Sequence, residues 1–190
     1  MMRRSLRAAV AWRAVATAVL LLVAVGPVAA LGDTSTSTTA SVSVGPAANS
    51  AFAVSITSAT FSTVTYRPGS GSQTATGSIV VTVTDTRSGS PGWTVTLAAS
   101  GDLRSGSSAI PVGNLAFLQG TVQGQDGAST NGLNRSGLTM STQPQRILSA
   151  PARAGTGTFD YSMPGTIRVP DGTLAGTYTT TLTVTLTSSS

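Results

Sequence analysis

The side chains that could do acid–base or nucleophilic chemistry in this chain are few. Asp33, Asp85, Asp102, Asp126, Asp160 and Asp171 are its only carboxylates, and it contains no His, Glu, Lys or Cys. Two carboxylates flanking a bond can hydrolyse a glycoside. A serine nucleophile, by contrast, would lack its usual activating partner, and the commonest metal and general-base residue is missing. Asp85, Asp102, Asp126 and Asp171 each stand beside Gly, Thr or Pro, where Asp organises turns by bonding to nearby backbone. Asp160 alternates with Phe159 and Tyr161, so it should face solvent. The inventory predicts a non-catalytic protein with no cofactor and no metal site.

The elements that must position these residues are most legible in two stretches, Gly77 to Ser100 and Leu174 to Ser188. Ile79, Val81 and Val83 share one strand face, as do Trp93, Val95 and Leu97, and Tyr178, Leu182, Val184 and Leu186 share another. A period of two is the pattern of half-buried strands in an antiparallel sheet. The segment from Asp85 to Gly92 joins the first two strands and is rich in turn residues.

Further strands are expected at 52–56, 61–66, 147–148, 159–163 and 167–169, with 175–187 the last and longest, and 110–118 holds a short apolar run. Pro164-Gly165 and Pro170-Asp171-Gly172 read as turns, and 67–72 and 100–108 as loops. The polar run 120–137 reads as the longest loop and carries a possible glycosylation sequon, Asn134-Arg135-Ser136. The fold class that follows is all-β: an antiparallel β-sandwich of immunoglobulin-like type after an N-terminal signal helix.

Residues 1–30 read as a secretory signal peptide. Arg3, Arg4, Arg7 and Arg13 precede an apolar run to Val25, and Val28-Ala29-Ala30 supplies small residues for cleavage. The run is shorter than the ~20 residues of a membrane span, so no membrane association is expected after cleavage; the alternative is a segment retained as an N-terminal anchor. Residues 31–50 form a Ser/Thr-rich spacer or edge strand, and 51–190 one domain. Four of the eleven basic residues lie in the leader, which leaves seven Arg against six Asp, a net charge of +1. These arginines are scattered, which argues against a nucleic-acid partner. Tyr66, beside the 67–72 loop, is the aromatic best placed to stack on a sugar.

The run SIVVTVTDTRSGSPGWTVTL resembles the N-terminal part of the WxL domain, in which an Asp-Thr-Arg turn leads into Gly-Trp-x-Leu. The ending VPDGTLAGTYTTTLTVTL is similar to its C-terminal part, where Ala-Gly-Thr-Tyr leads into a second Trp-x-Leu. Here the motifs read Trp93-Thr94-Val95 and Val184-Thr185-Leu186. The resemblance implies a secreted bacterial protein held non-covalently at the cell wall, with peptidoglycan or another wall polymer as partner. It also implies binding roles for Trp93, Val95, Val184 and Leu186. The periodicity offers a competing reading of the same four residues as core. The C-terminal run TVTLTSSS carries no sortase-type signal, so covalent anchoring is not expected. The alternative function is a structural subunit of a surface layer, filament or protein complex, joined to other surface proteins by strand addition at an open sheet edge.

Overall fold

Alternation of apolar and hydroxylated residues builds strands throughout this chain. The computed structural model describes residues 15–18, 22–25, 38–41, 52–57, 59–65, 69, 71–87 and 89–189. Its strands are β1 (Val15–Ala18), β2 (Leu22–Val25), β3 (Thr38–Ser41), β4 (Phe52–Ile56), β5 (Ala59–Phe61), β6 (Gln73–Asp85), β7 (Trp93–Ala99) and β8 (Leu103–Ser105). They continue as β9 (Ser108–Ile110), β10 (Leu115–Phe117), β11 (Thr121–Gly124), β12 (Asn134–Arg135), β13 (Leu138–Thr139), β14 (Gln145–Ala150), β15 (Gly157–Val169) and β16 (Leu182–Ser188). The helical content among the described residues is one 3-10 turn, Val112–Asn114.

Two antiparallel sheets form the sandwich. One runs β1-β16-β7-β14-β12; the other runs β13-β10-β15-β6-β5-β3-β2, with β11 also on β15 and β4 also on β6. The second sheet is centred on the β6–β15 ladder, paired without a break from Gln73↔Val169 to Asp85↔Gly157. Ile79, Val81, Val83, Phe159, Tyr161 and Met163 from that ladder join Trp93, Val95, Leu97, Val184 and Leu186 of the first sheet in one buried core. The Trp93 and Phe159 rings meet across the sheets with centroids 6.1 Å apart.

β6 and β7 do not pair with each other; the 86–92 segment carries the chain from one sheet to the other. An ion pair anchors this crossover. Asp85, 1% exposed at the end of β6, accepts from Arg87 Nε at 2.8 Å and Nη2 at 2.8 Å, and from the Arg87 backbone N–H at 3.1 Å. Arg87 Nη1 donates to Ser188 Oγ of β16 at 2.6 Å. The guanidinium also lies 3.5 Å from the centroid of the Phe52 ring in β4. Gly92 follows, so close to Ala150 that an added Cβ would lie 2.7 Å from its carbonyl oxygen.

Several expected boundaries move. The expected Pro164-Gly165 turn is the middle of β15. The Pro164 carbonyl accepts from Leu118 N–H, so its missing N–H points to the same side, at the gap between β10 and β11, and the ladder to β6 survives. The last strand is β16, shorter than expected. Tyr178 Oη donates to Leu174 O at 2.6 Å and Thr180 Oγ1 to Gly101 O at 2.8 Å, which folds 174–180 into a tight approach rather than a strand. The expected 100–108 loop contains the β8–β9 hairpin, whose Leu103 and Ile110 are buried. The expected 61–66 strand ends at Phe61.

The 120–137 loop holds two short strands, β11 on β15 and β12 on β14. Tyr161 Oη donates to Ser136 O at 3.0 Å and pins that stretch to the core. In the expected signal helix the described pieces, β1 and β2, are extended. β1 lies along β16 from Val15↔Thr187 to Ala18↔Val184, and β2 along β3. Their Val and Thr content suits strands, and sheet margins offer unpaired backbone groups. The rest of that helix lies outside the described residues. In the Ser/Thr-rich spacer, Thr38–Ser41 pairs with β5.

Removing one partner of the Asp85–Arg87 pair strands the other charge at a largely buried site. Asp85→Ala or Arg87→Ala should each cost about 3 kcal/mol, at the low end for broken buried pairs because Arg87 retains some solvent contact. The double variant should cost little more than either single. Urea unfolding of the four proteins checks this; additive losses would show that the pair does not act as a unit.

Candidate functional site

The two motif segments, far apart in sequence, are hydrogen-bonded neighbours. In the β7–β16 ladder Leu186 is opposite Val95, Val184 opposite Leu97 and Ser188 opposite Trp93. Trp93, Val95, Val184 and Leu186 each have 0% exposure. The structure therefore brings all four together, on the inner face of the sheet, where their side chains do not meet solvent.

Trp93 is the most constrained of them. Its Nε1–H donates to Gly155 O at 2.9 Å, so burial leaves no indole donor unpaired. Gly155 has φ +74°, and an added Cβ would lie 2.3 Å from Ala150 Cβ and 2.6 Å from Trp93 Nε1. The glycine is required both by its backbone conformation and by the space the indole takes.

The threonines between the motif residues point outward. Thr185 pairs with Thr96 and Thr187 with Thr94, and Arg146 of β14 pairs with Thr96 from the other side. The carboxylates carry structural bonds. Asp102 accepts from Val112 N–H at 2.9 Å, and Asp160 accepts from Thr82 Oγ1 and Gln125 Nε2 at 2.6 Å each. Asp171 Oδ1 accepts from Gly172 N–H at 3.0 Å. Asp126, with φ 50°, and Gly127, with φ 79°, form the turn after β11, closed by Ala128 N–H to Gln125 O.

Surface depressions among the described residues include the following. One of about 540 Å³ is lined by Asp102, Arg104, Thr142, Thr179, Thr180 and Thr181, among others. A second of about 470 Å³ is lined by Ser72, Pro111, Asn114, Arg168, Pro170 and Asp171. The third, about 290 Å³, lies beside Ser129, Asn131, Arg153 and Thr156. Tyr66, the expected sugar-stacking residue, lies outside the described residues. Asn134 of the sequon is exposed on β12.

A family model, the WxL domain described as surface cell-wall-binding, matches residues 27–189. The chain belongs to the WxL domain family. No curated protein and no solved structure matches it. In this WxL chain the two degenerate motifs are the apolar centre of one sheet, and the Asp-Thr-Arg turn before the first motif is the ion-paired crossover. The family places the protein at the cell wall, with a wall polymer as partner. Sequence reasoning missed Gly155, whose only local signal was one glycine among many in a loop. It also missed the depressions, whose linings come together from segments distant in sequence.

Two outcomes follow from this packing. Trp93→Ala should destabilise the domain by about 3–5 kcal/mol, as other large-to-small core changes do. Gly155→Ala should cost at least about 2 kcal/mol through strain and overpacking. Melting temperatures measure both, and a Trp93→Ala protein that melts like the parent would refute the core assignment. Burial pushes the Tyr161 hydroxyl above its ordinary value of 10.0, with the Gly120 N–H and Arg135 pulling partly the other way. A raised value favours the neutral form in the folded state. That contribution is complete below pH 10 and is lost as pH rises through the folded value, because the unfolded chain ionises first. Tyr161→Phe should flatten this alkaline loss in unfolding titrations; an unchanged profile would assign the loss elsewhere.

Proposed function

We propose that this WxL protein is a secreted, non-catalytic module that holds peptidoglycan non-covalently. The family match over residues 27–189 carries the reading. The absence of His, Glu, Lys and Cys from the chain favours binding over chemistry, as do the structural bonds made by Asp85, Asp102, Asp160 and Asp171. Trp93, Val95, Val184 and Leu186 serve this binding from inside, as part of the buried core that supports the wall-facing surface. Their zero exposure favours a positioning role over direct contact. Mixed with purified peptidoglycan sacculi and sedimented, the protein should pellet with them and leave them undigested. Protein that stays in the supernatant, or that releases soluble fragments, would contradict the reading.

The unequal protection of the sandwich margins favours strand addition as a second mode of association. At one margin β12 and β13 are two residues long and β12 carries Arg135. At the other, β16 (LTVTLTS) and β4 (FAVSI) carry neither charge nor proline, the devices that normally blunt an edge. The outer edge of β16 takes β1 as its partner, and cleavage of the leader would free it. Light scattering on protein beginning at residue 31 should then show concentration-dependent assembly that Thr185→Lys suppresses. A strict monomer at high concentration would argue against this mode.

A further inference from the structure

The two larger depressions lie on either side of one rigid piece of backbone. Val112 lines the first, while Pro111 and Asn114 line the second, so the 3-10 turn Val112–Asn114 is their common wall. That turn is bonded on both flanks. The Val112 N–H donates to Asp102 Oδ1 at 2.9 Å, and Asn114 Nδ2 donates to Arg168 O at 2.9 Å. Its own closure is the Asn114 N–H to Pro111 O bond. The floor of the first depression is equally braced, since Arg104 and Thr179 exchange both backbone hydrogen bonds at 2.8 Å. A site held this way loses little freedom when it is filled.

The chemistry repeats across the turn. Each depression presents one arginine and one aspartate, Arg104 with Asp102 and Arg168 with Asp171, beside hydroxyl or amide groups. Arg104 is exposed, and its guanidinium makes no hydrogen bond or ion pair among the described residues. Among the described residues Arg168 commits only Nε, to Ser72 Oγ at 3.1 Å, and its two terminal nitrogens make no hydrogen bond there. Arg87 is the opposite case, spending its guanidinium on Asp85, Ser188 and Phe52. Two similar half-sites in tandem suit a ligand that itself repeats.

We infer that the two depressions flanking the Val112–Asn114 turn are tandem subsites of one groove for a glycopeptide polymer, in which Arg104 and Arg168 each take a carboxylate of successive repeats. Planar guanidinium groups match carboxylates in two-point contacts. Asp102 and Asp171 sit beside them as acceptors for hydroxyl or ammonium groups of the same repeat. The paired opposite charges disfavour a polyphosphate, whose phosphates would meet both aspartates, and favour a polymer that carries carboxylates together with hydroxyls and amines. This rests on the wall-binding reading above and names the surface and ligand chemistry for it.

The test is sedimentation of the full-length protein with peptidoglycan sacculi stripped of phosphate polymers by acid, alongside unstripped walls. Four proteins are compared: the parent, Arg104→Ala, the Arg104→Ala/Arg168→Ala double variant, and an Arg146→Ala/Arg153→Ala double variant that removes the same charge elsewhere. The parent should bind stripped sacculi. Arg104→Ala should bind several-fold more weakly, the Arg104/Arg168 variant at least ten-fold more weakly, and the Arg146/Arg153 variant like the parent. All four should melt within a few degrees of one another, because the replaced side chains are exposed. Parent-level binding by the Arg104/Arg168 variant overturns the groove and leaves wall binding standing. Equal loss in the Arg146/Arg153 variant reduces it to general charge and overturns it too. Parent binding to unstripped walls alone assigns a polyphosphate ligand, again against the proposal. A parent that binds neither preparation removes the wall-binding reading itself, and the groove with it.

Discussion

The guanidinium of Arg87 touches three separate parts of this chain. It is held by both oxygens of Asp85 at the end of β6, stacks on Phe52 at the start of β4, and donates to Ser188 at the end of β16. Those contacts close one end of the sandwich, where the chain passes from one sheet to the other. Without cysteine the protein has no disulfide to do this. The enclosed carboxylate needs the arginine, and the arginine in turn fixes where β16 must end. That fixes the register of β16 on β7, and so the pairing of the two motif segments.

Once that register is set, the motif residues account for one another. Trp93 fills the space under Gly155, and Val95 faces Leu186 across the ladder. A tryptophan and a leucine two residues apart on a strand form a pattern that both a ligand site and a core would produce. Burial distinguishes them: the four side chains are enclosed, and the threonines between them, such as Thr94 and Thr185, are half-buried on the outer face. The motif residues are therefore interior residues of the sandwich.

Much of this was legible in the sequence because strand burial has a simple period. Ile79-Val81-Val83 and Trp93-Val95-Leu97 needed no tertiary knowledge to be placed on inner faces. What was hidden depended on distant partners. Pro164-Gly165 carries a strong local turn signal, but β15 runs through it because the missing proline N–H points into a gap that no neighbour must fill. The strands within 120–137 are short and polar, with Val122 their one partly buried apolar residue, so periodicity barely marks them. Arg87 and Ser188 lie 101 positions apart, and Arg104 and Arg168 similarly belong to segments that only the fold brings to one turn.

The most direct test of the division between an interior motif and an exterior binding surface is a titration of the isotopically labelled protein with soluble peptidoglycan fragments, followed by amide and indole resonances in nuclear magnetic resonance spectra. Shifts concentrated at residues 101–104, 112–114 and 168–171, with the Trp93 indole resonance unmoved, are the predicted result. Early, dominant movement of the Trp93 indole with a silent groove would contradict the account.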